Sequence, residues 1–183
     1  MKLLNNRFSK ILLLILISAV MFTTWQYGVE KVYLNILTGT TNAVLSIIKD
    51  DTNIDIEETG ISKTPYQFKV TTVIEGRVGS YPQEIGGLLQ PTVIILTWQI
   101  FLFFVLKMRS AGRLTLINLS IFLIFQIFFL VLLTGYYTSD TQQFLYNVML
   151  DSFYVIAVIL IIKDNIFNPV FSTAGNQPKY SNS

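Results

Sequence analysis

Four stretches of this chain are almost free of charge: Ile11 to Val29, Ile85 to Leu106, Leu114 to Ser139 and Thr141 to Ile162. Each is 19 to 26 residues long. About 20 helical residues, rising 1.5 Å each, cross a hydrocarbon core of about 30 Å, so each stretch is predicted to span a bilayer as a helix.

Between the first and second runs the pattern changes twice. Val29, Val32, Tyr33, Ile36, Leu37, Thr40, Val44 and Ile48 recur at intervals of three and four, which predicts an amphipathic helix continuing from the first span to about Ile48. "NIDIE" then alternates, and "YQFKVTTVIEGRV" sets Tyr66, Phe68, Val70, Thr72 and Ile74 against Gln67, Lys69, Thr71, Glu75 and Arg77. Period two predicts two strands, joined through "ETGISKTP". A lone hairpin is marginal in water, so Tyr66, Phe68, Val70 and Ile74 form a face that the helix, lipid or a partner must cover. In "GSYPQE", Ser80 is the expected N-cap and Pro82 the first turn of the re-entering helix, with Pro91 expected to kink it further on.

Composition agrees with a membrane class, at 52% apolar and 13% charged residues. The net charge of +2 comes from basic residues placed to orient the chain. Lys2, Arg7 and Lys10 precede the first span, and Lys107, Arg109 and Arg113 fill the link between the second and third. The link "TGYYTSDTQQ" has no Lys or Arg. The positive-inside bias therefore places both termini inside and residues 30–84 outside. "LISAVMFTTWQYG" lacks a small-x-small cleavage site, so the first span is read as a retained signal anchor, with Trp25 and Tyr27 at the outer interface. The basic residues are too few and too divided for nucleic-acid binding.

The expected fold is membrane all-α: four transmembrane helices, N-in and C-in, with a small extracytoplasmic α+β cap. Residues 1–29 form the cytoplasmic N-terminus and anchor, 30–84 the cap, 85–162 the three-helix remainder, and 163–183 a mobile cytoplasmic tail, polar and with two prolines.

The chain has no Cys and no His, which excludes thiol nucleophiles, His relays and the usual zinc sites. "DDTNIDIEE" spaces Asp51, Asn53, Asp55 and Glu57 like the start of a calcium loop, but Ile56 replaces the turn glycine and Ser62 the bidentate acid. No catalytic residue, metal ligand or cofactor is assigned. Inside the membrane, Asp151 lies about 15 Å from the outer boundary and Gln99 about 20 Å. Gln126 falls at a comparable depth. Asn147 and Tyr154 share the Asp151 face at i−4 and i+3. These five are expected to form one intramembrane polar cluster, because a charged Asp at the centre of a span costs about 2.5–3.5 kcal/mol and should turn away from lipid. The second acid of a shared-proton pair is missing, since Asp140 is eleven residues from Asp151, about 16 Å along a helix.

The order of segments carries a family likeness. An anchor ends in "FTTWQYGVEKVYLNIL", an outer α+β segment follows in "NIDIEE…YQFKVTTVIEGRV", then a Gly-rich re-entry "IGGLLQP" and three spans. This arrangement, with Trp25, Tyr33 and Gly86, resembles the small membrane proteins associated with exosortases, which process sorting signals of exported bacterial proteins. The resemblance implies a non-enzymatic accessory or assembly subunit of a membrane-embedded export, sorting or processing system in the bacterial inner membrane. Its partners would be the bilayer, another membrane protein and possible further copies of itself. The alternative is a carboxylate-dependent hydrolase or small-solute carrier centred on Asp151.

Overall fold

A computed structural model describes residues 6–61, 65–85 and 88–171. Helix α1 is Arg7–Thr24, opened by the Asn6 side chain, which accepts from the Phe8 amide at 3.3 Å. A π-helical turn, Trp25–Val29, joins it to α2, Glu30–Ile48. The backbone leaves helical geometry at Tyr27 and at Gly28, whose φ of 120° is open to glycine and strained for any L side chain. The helix therefore does continue from the first apolar run to Ile48, but through a kink.

On α2 the buried residues are Leu34, Leu37, Thr38, Thr41 and Leu45. This face is rotated from the expected one, and Val32, Ile36 and Ile48 are exposed. Thr38 and Thr41 return their hydroxyls to the carbonyls of Leu34 and Leu37 at 2.9 and 2.8 Å, so they pack as apolar residues and widen the buried stripe.

The strands are β1, Asn53–Glu58, β2, Tyr66–Ile74, and β3, Arg77–Glu84, antiparallel in the order β1-β2-β3. Three strands replace the expected two. Glu75 and Gly76 both have positive φ, 51° and 78°, the geometry of a tight hairpin turn, so Ile74 pairs with Arg77 and the chain doubles back. Ser80 and Pro82 thus lie in a strand and open no helix. Pro82 is tolerated because β3 is an edge strand.

Of the expected covered face, Phe68 and Val70 are fully buried, while Tyr66 and Ile74 are half-buried. Phe68 and Val70 belong to one core with Leu34, Leu37, Leu45 and Ile54, so the chain's own helix α2 covers the sheet. Asn42 fixes this packing. Its amide donates to the Ile54 carbonyl and accepts from the Ile54 amide, both at 2.9 Å, and so completes the free edge of β1. On the outer face Lys69 pairs with Glu57 at 2.7 Å, and this hydrogen bond, followed by that from Gln67, holds the Glu57 carboxyl below its usual range.

Helices α3, Leu89–Val105, α4, Met108–Leu133, and α5, Asp140–Phe167, complete the fold. Among the described residues three helical segments are long and apolar enough to cross a membrane: Arg7–Ile48, α4 and α5. Helix α3 has 17 residues and is shorter than expected. Pro91 sits in its first turn, where a backbone donor has no intrahelical acceptor, so the expected kink is absent. Residues 163–167, assigned to a mobile tail, continue α5, and Val170 is buried with its carbonyl accepting from Lys10 Nζ at 2.6 Å. The rest of that assigned tail, residues 172–183, lies outside the described residues.

Candidate functional site: a buried carboxyl at the α3–α4–α5 contact

The buried stripe of α5 runs Tyr146, Phe153, Ala157, Leu160, Asp164, so helical periodicity carries a carboxyl into the core at its end. On α4 the stripe Ala111, Asn118, Phe122, Gln126 and Phe129 does the same for two amides. Trp98 and Gln99 come from the middle of α3, where nearly every side is covered.

These side chains converge on Asp164, which is fully buried. Its Oδ2 accepts from Asn118 Nδ2 at 2.6 Å, Trp98 Nε1 at 3.0 Å and Gln99 Nε2 at 3.5 Å. Thr115 donates to Gln99 Oε1 at 3.1 Å. Lys163 stands with its Nζ 3.3 Å from Asp164 Oδ1 and donates to Asn118 Oδ1. One carboxyl oxygen thus ties α3 and α4 to α5. Among the described residues its hydrogen-bond donors are an indole and two side-chain amides, an arrangement that fastens the three helices together.

A second polar centre forms around Gln126, whose Nε2 donates to Thr92 Oγ1 at 2.9 Å and to the Leu88 carbonyl at 3.4 Å. The Tyr33 hydroxyl donates to Gln126 Oε1 and so fastens the start of α2 to α4. Trp25 packs on Tyr33 at 5.6 Å between centroids, which puts the α1–α2 kink at the level of Gln126.

The expected single cluster is therefore divided. Gln99 joins Asp164 and Gln126 joins Tyr33, while Asp151 and Asn147 are exposed and touch neither. Tyr154 is also exposed, and its hydroxyl donates to Gln90 in the first turn of α3. The reason is register. The contacts Tyr154–Gln90 and Asp164–Trp98 have sequence offsets of 64 and 66, so α3 and α5 run in the same direction. The residues of α5 before Tyr154, from Asp140, accordingly stand beyond the N-terminal end of α3.

Exposed composition changes at that level. From Tyr154 onward the exposed positions of α5 are Val155, Val158, Ile159, Ile162, Ile166 and Phe167; before it, Asp140, Thr141, Asn147 and Asp151 are interspersed with Phe144, Leu145 and Val148. At the end of α1 the exposed Phe22 is followed by exposed Thr23 and Thr24, and in the next turn exposed Gln26 stands beside exposed Tyr27 and Val29.

Asp164, Asn118, Trp98 and Lys163 were not singled out from the sequence. The signal that finds Asp164 is its place on the Phe153–Ala157–Leu160 face, hidden by its position beside Lys163 at the end of an apolar run. Comparison with protein-family models, with curated proteins and with solved structures gave no match.

Proposed function

We propose that this chain is a non-enzymatic accessory or assembly subunit of a membrane-embedded export, sorting or processing machine, in a bacterial inner membrane. In this reading α1, α3 and the inner parts of α4 and α5 cross the bilayer as four spans, with both termini inside. The outer boundary then lies near Thr24, Gln90 and Tyr154, beyond which exposed polar residues are interspersed among the exposed apolar ones. Helix α3, with 17 residues, measures about 26 Å, close to a hydrocarbon core. Asp151 is one turn outside the boundary, where its charge is solvated at little cost. Helix α2 and the sheet form the outer cap.

The observation that carries the reading is the outer half of α5. Phe144 is 66% exposed and Val148 50% exposed, on one face with Asn147 and Asp151, and no other element of the described chain covers them. An apolar pair flanked by polar groups just above a membrane suits a protein contact, with aromatic and aliphatic anchors inside a polar rim. The buried carboxyl, in contrast, is committed to internal bonds. The kind of machine follows from the segment order of the anchor, α+β segment and three-helix remainder.

A photoreactive side chain at Val148, activated in intact cells, tests this reading. The expected product joins the chain to a membrane-embedded export or processing protein identified by mass spectrometry, and Phe144→Ser with Asp151→Lys removes it. Adducts to lipid alone, as from the apolar face at Val158, would overturn the assignment.

A further inference from the structure

We propose that a groove between α1, α3 and α5 binds one acidic phospholipid from the inner leaflet, with its phosphate on Arg7 and an acyl chain between the helices. The inference rests on the membrane-spanning reading above.

The groove consists of two adjoining hollows. The deeper has a volume of about 420 Å³, with Leu14, Phe22, Ile94, Ile162 and Ile166 among its walls. The other, about 520 Å³, is lined by Arg7, Ile11, Asn165, Pro169 and Phe171. Asn165 and Phe171 line both, so the hollows adjoin at those side chains. From Ile11 to Phe22 is eleven residues, about 16 Å of helix, long enough for an acyl chain to lie along α1.

Polar chemistry marks the groove as more than a lipid-facing seam. Among the described residues three buried side-chain oxygens lack a hydrogen bond: Asp164 Oδ1, Thr97 Oγ1 and Asn165 Oδ1. Asp164 Oδ1 faces Lys163. The other two belong to residues lining the deeper hollow, and Thr97 is only 4% exposed. Their hydrogen-bonding capacity is unmet within the described residues.

The occupant's charge follows from Arg7. It is exposed, lines the second hollow, and takes part in none of the ion pairs among the described residues. A planar guanidinium matches phosphate oxygens in bidentate fashion. Residues 172–183, "STAGNQPKYSNS", are too polar to fill the groove.

Native mass spectrometry of the full-length protein in detergent tests the site, with phosphatidylglycerol and phosphatidylcholine of matched chains as probes. One phosphatidylglycerol per chain is expected, held about tenfold more tightly than phosphatidylcholine. Arg7→Gln, at an exposed position, should bring the two lipids to within about twofold of each other, and Ile162→Trp should weaken both about tenfold while thermal unfolding stays cooperative. Equal binding of the two lipids by the native protein, an unchanged preference in Arg7→Gln, or displacement by inorganic phosphate alone would overturn the proposal. If Ile162→Trp does not fold, the lipid ratio in Arg7→Gln decides by itself. Carbonate extraction separates the two readings: release from the membrane overturns the spanning reading, whereas an integral protein without lipid preference overturns only this one.

Discussion

The Trp98 indole and the Asp164 carboxyl meet at 3.0 Å, a contact between the middle of α3 and the last turn of α5. Gln99 and Asn118 close on the same oxygen, so three helices depend on one acceptor. Replacing Asp164 with Leu leaves these donors buried without a partner and should cost about 3–5 kcal/mol. Asp164→Asn keeps one carbonyl acceptor and should cost less, about 1–2 kcal/mol. Denaturation in detergent, read by tryptophan fluorescence, measures both, and equal stability of the Leu variant would remove the network from the account of the fold.

Asp151 is expected to behave differently. It is exposed and hydrogen-bonds to neither polar centre, so Asp151→Asn and Asp151→Leu should each change stability by no more than about 0.5 kcal/mol. The same denaturation assay applies. A loss comparable to that of Asp164→Leu would show that Asp151 is buried after all.

Gly28 tests the kink. A side chain there meets nothing within 4 Å, so any cost of Gly28→Ala is conformational and comes from its φ of 120°. The expected loss is about 1–3 kcal/mol. Gly39, also with open space but ordinary helical backbone, serves as the control, and Gly39→Ala should be neutral or stabilising.

Asn42 is the corresponding test of the cap. Asn42→Leu fills similar space but leaves the Ile54 amide and carbonyl unpaired, at a cost of about 1–3 kcal/mol. Hydrogen exchange at Ile54 should accelerate more than at Val70, its partner on the central strand.

Orientation has its own measurement. Reporters after Ser183 and at Arg109 should read cytoplasmic, and one at Lys63 external, because short basic links set topology more than long loops do. An external reading at Ser183 would remove the four-span arrangement.

By itself the sequence determined that this chain is mostly apolar helix interrupted by a short β segment. Runs of uncharged residues and period-two alternation report local burial directly, and they placed α1, α4, α5, β1 and β2 without reference to any neighbour. It also indicated that α1 continues into α2. The third strand was missed because its evidence is a turn conformation at Glu75 and Gly76, which competes with a plausible helix start at Ser80 and Pro82. The buried face of α2 was legible only once Thr38 and Thr41 are known to bond to their own helix.

What only the tertiary structure decided is which acid is inside. Asp151 sits near the middle of an apolar run and Asp164 just past its end, so depth counted along one helix favours Asp151. The actual depth depends on how α5 slides against α3, fixed at Tyr154–Gln90 and Asp164–Trp98. That register exposes Asp151 and buries Asp164, because helices align by packing and hydrogen bonding between facing side chains, a property of the pair that neither helix encodes alone.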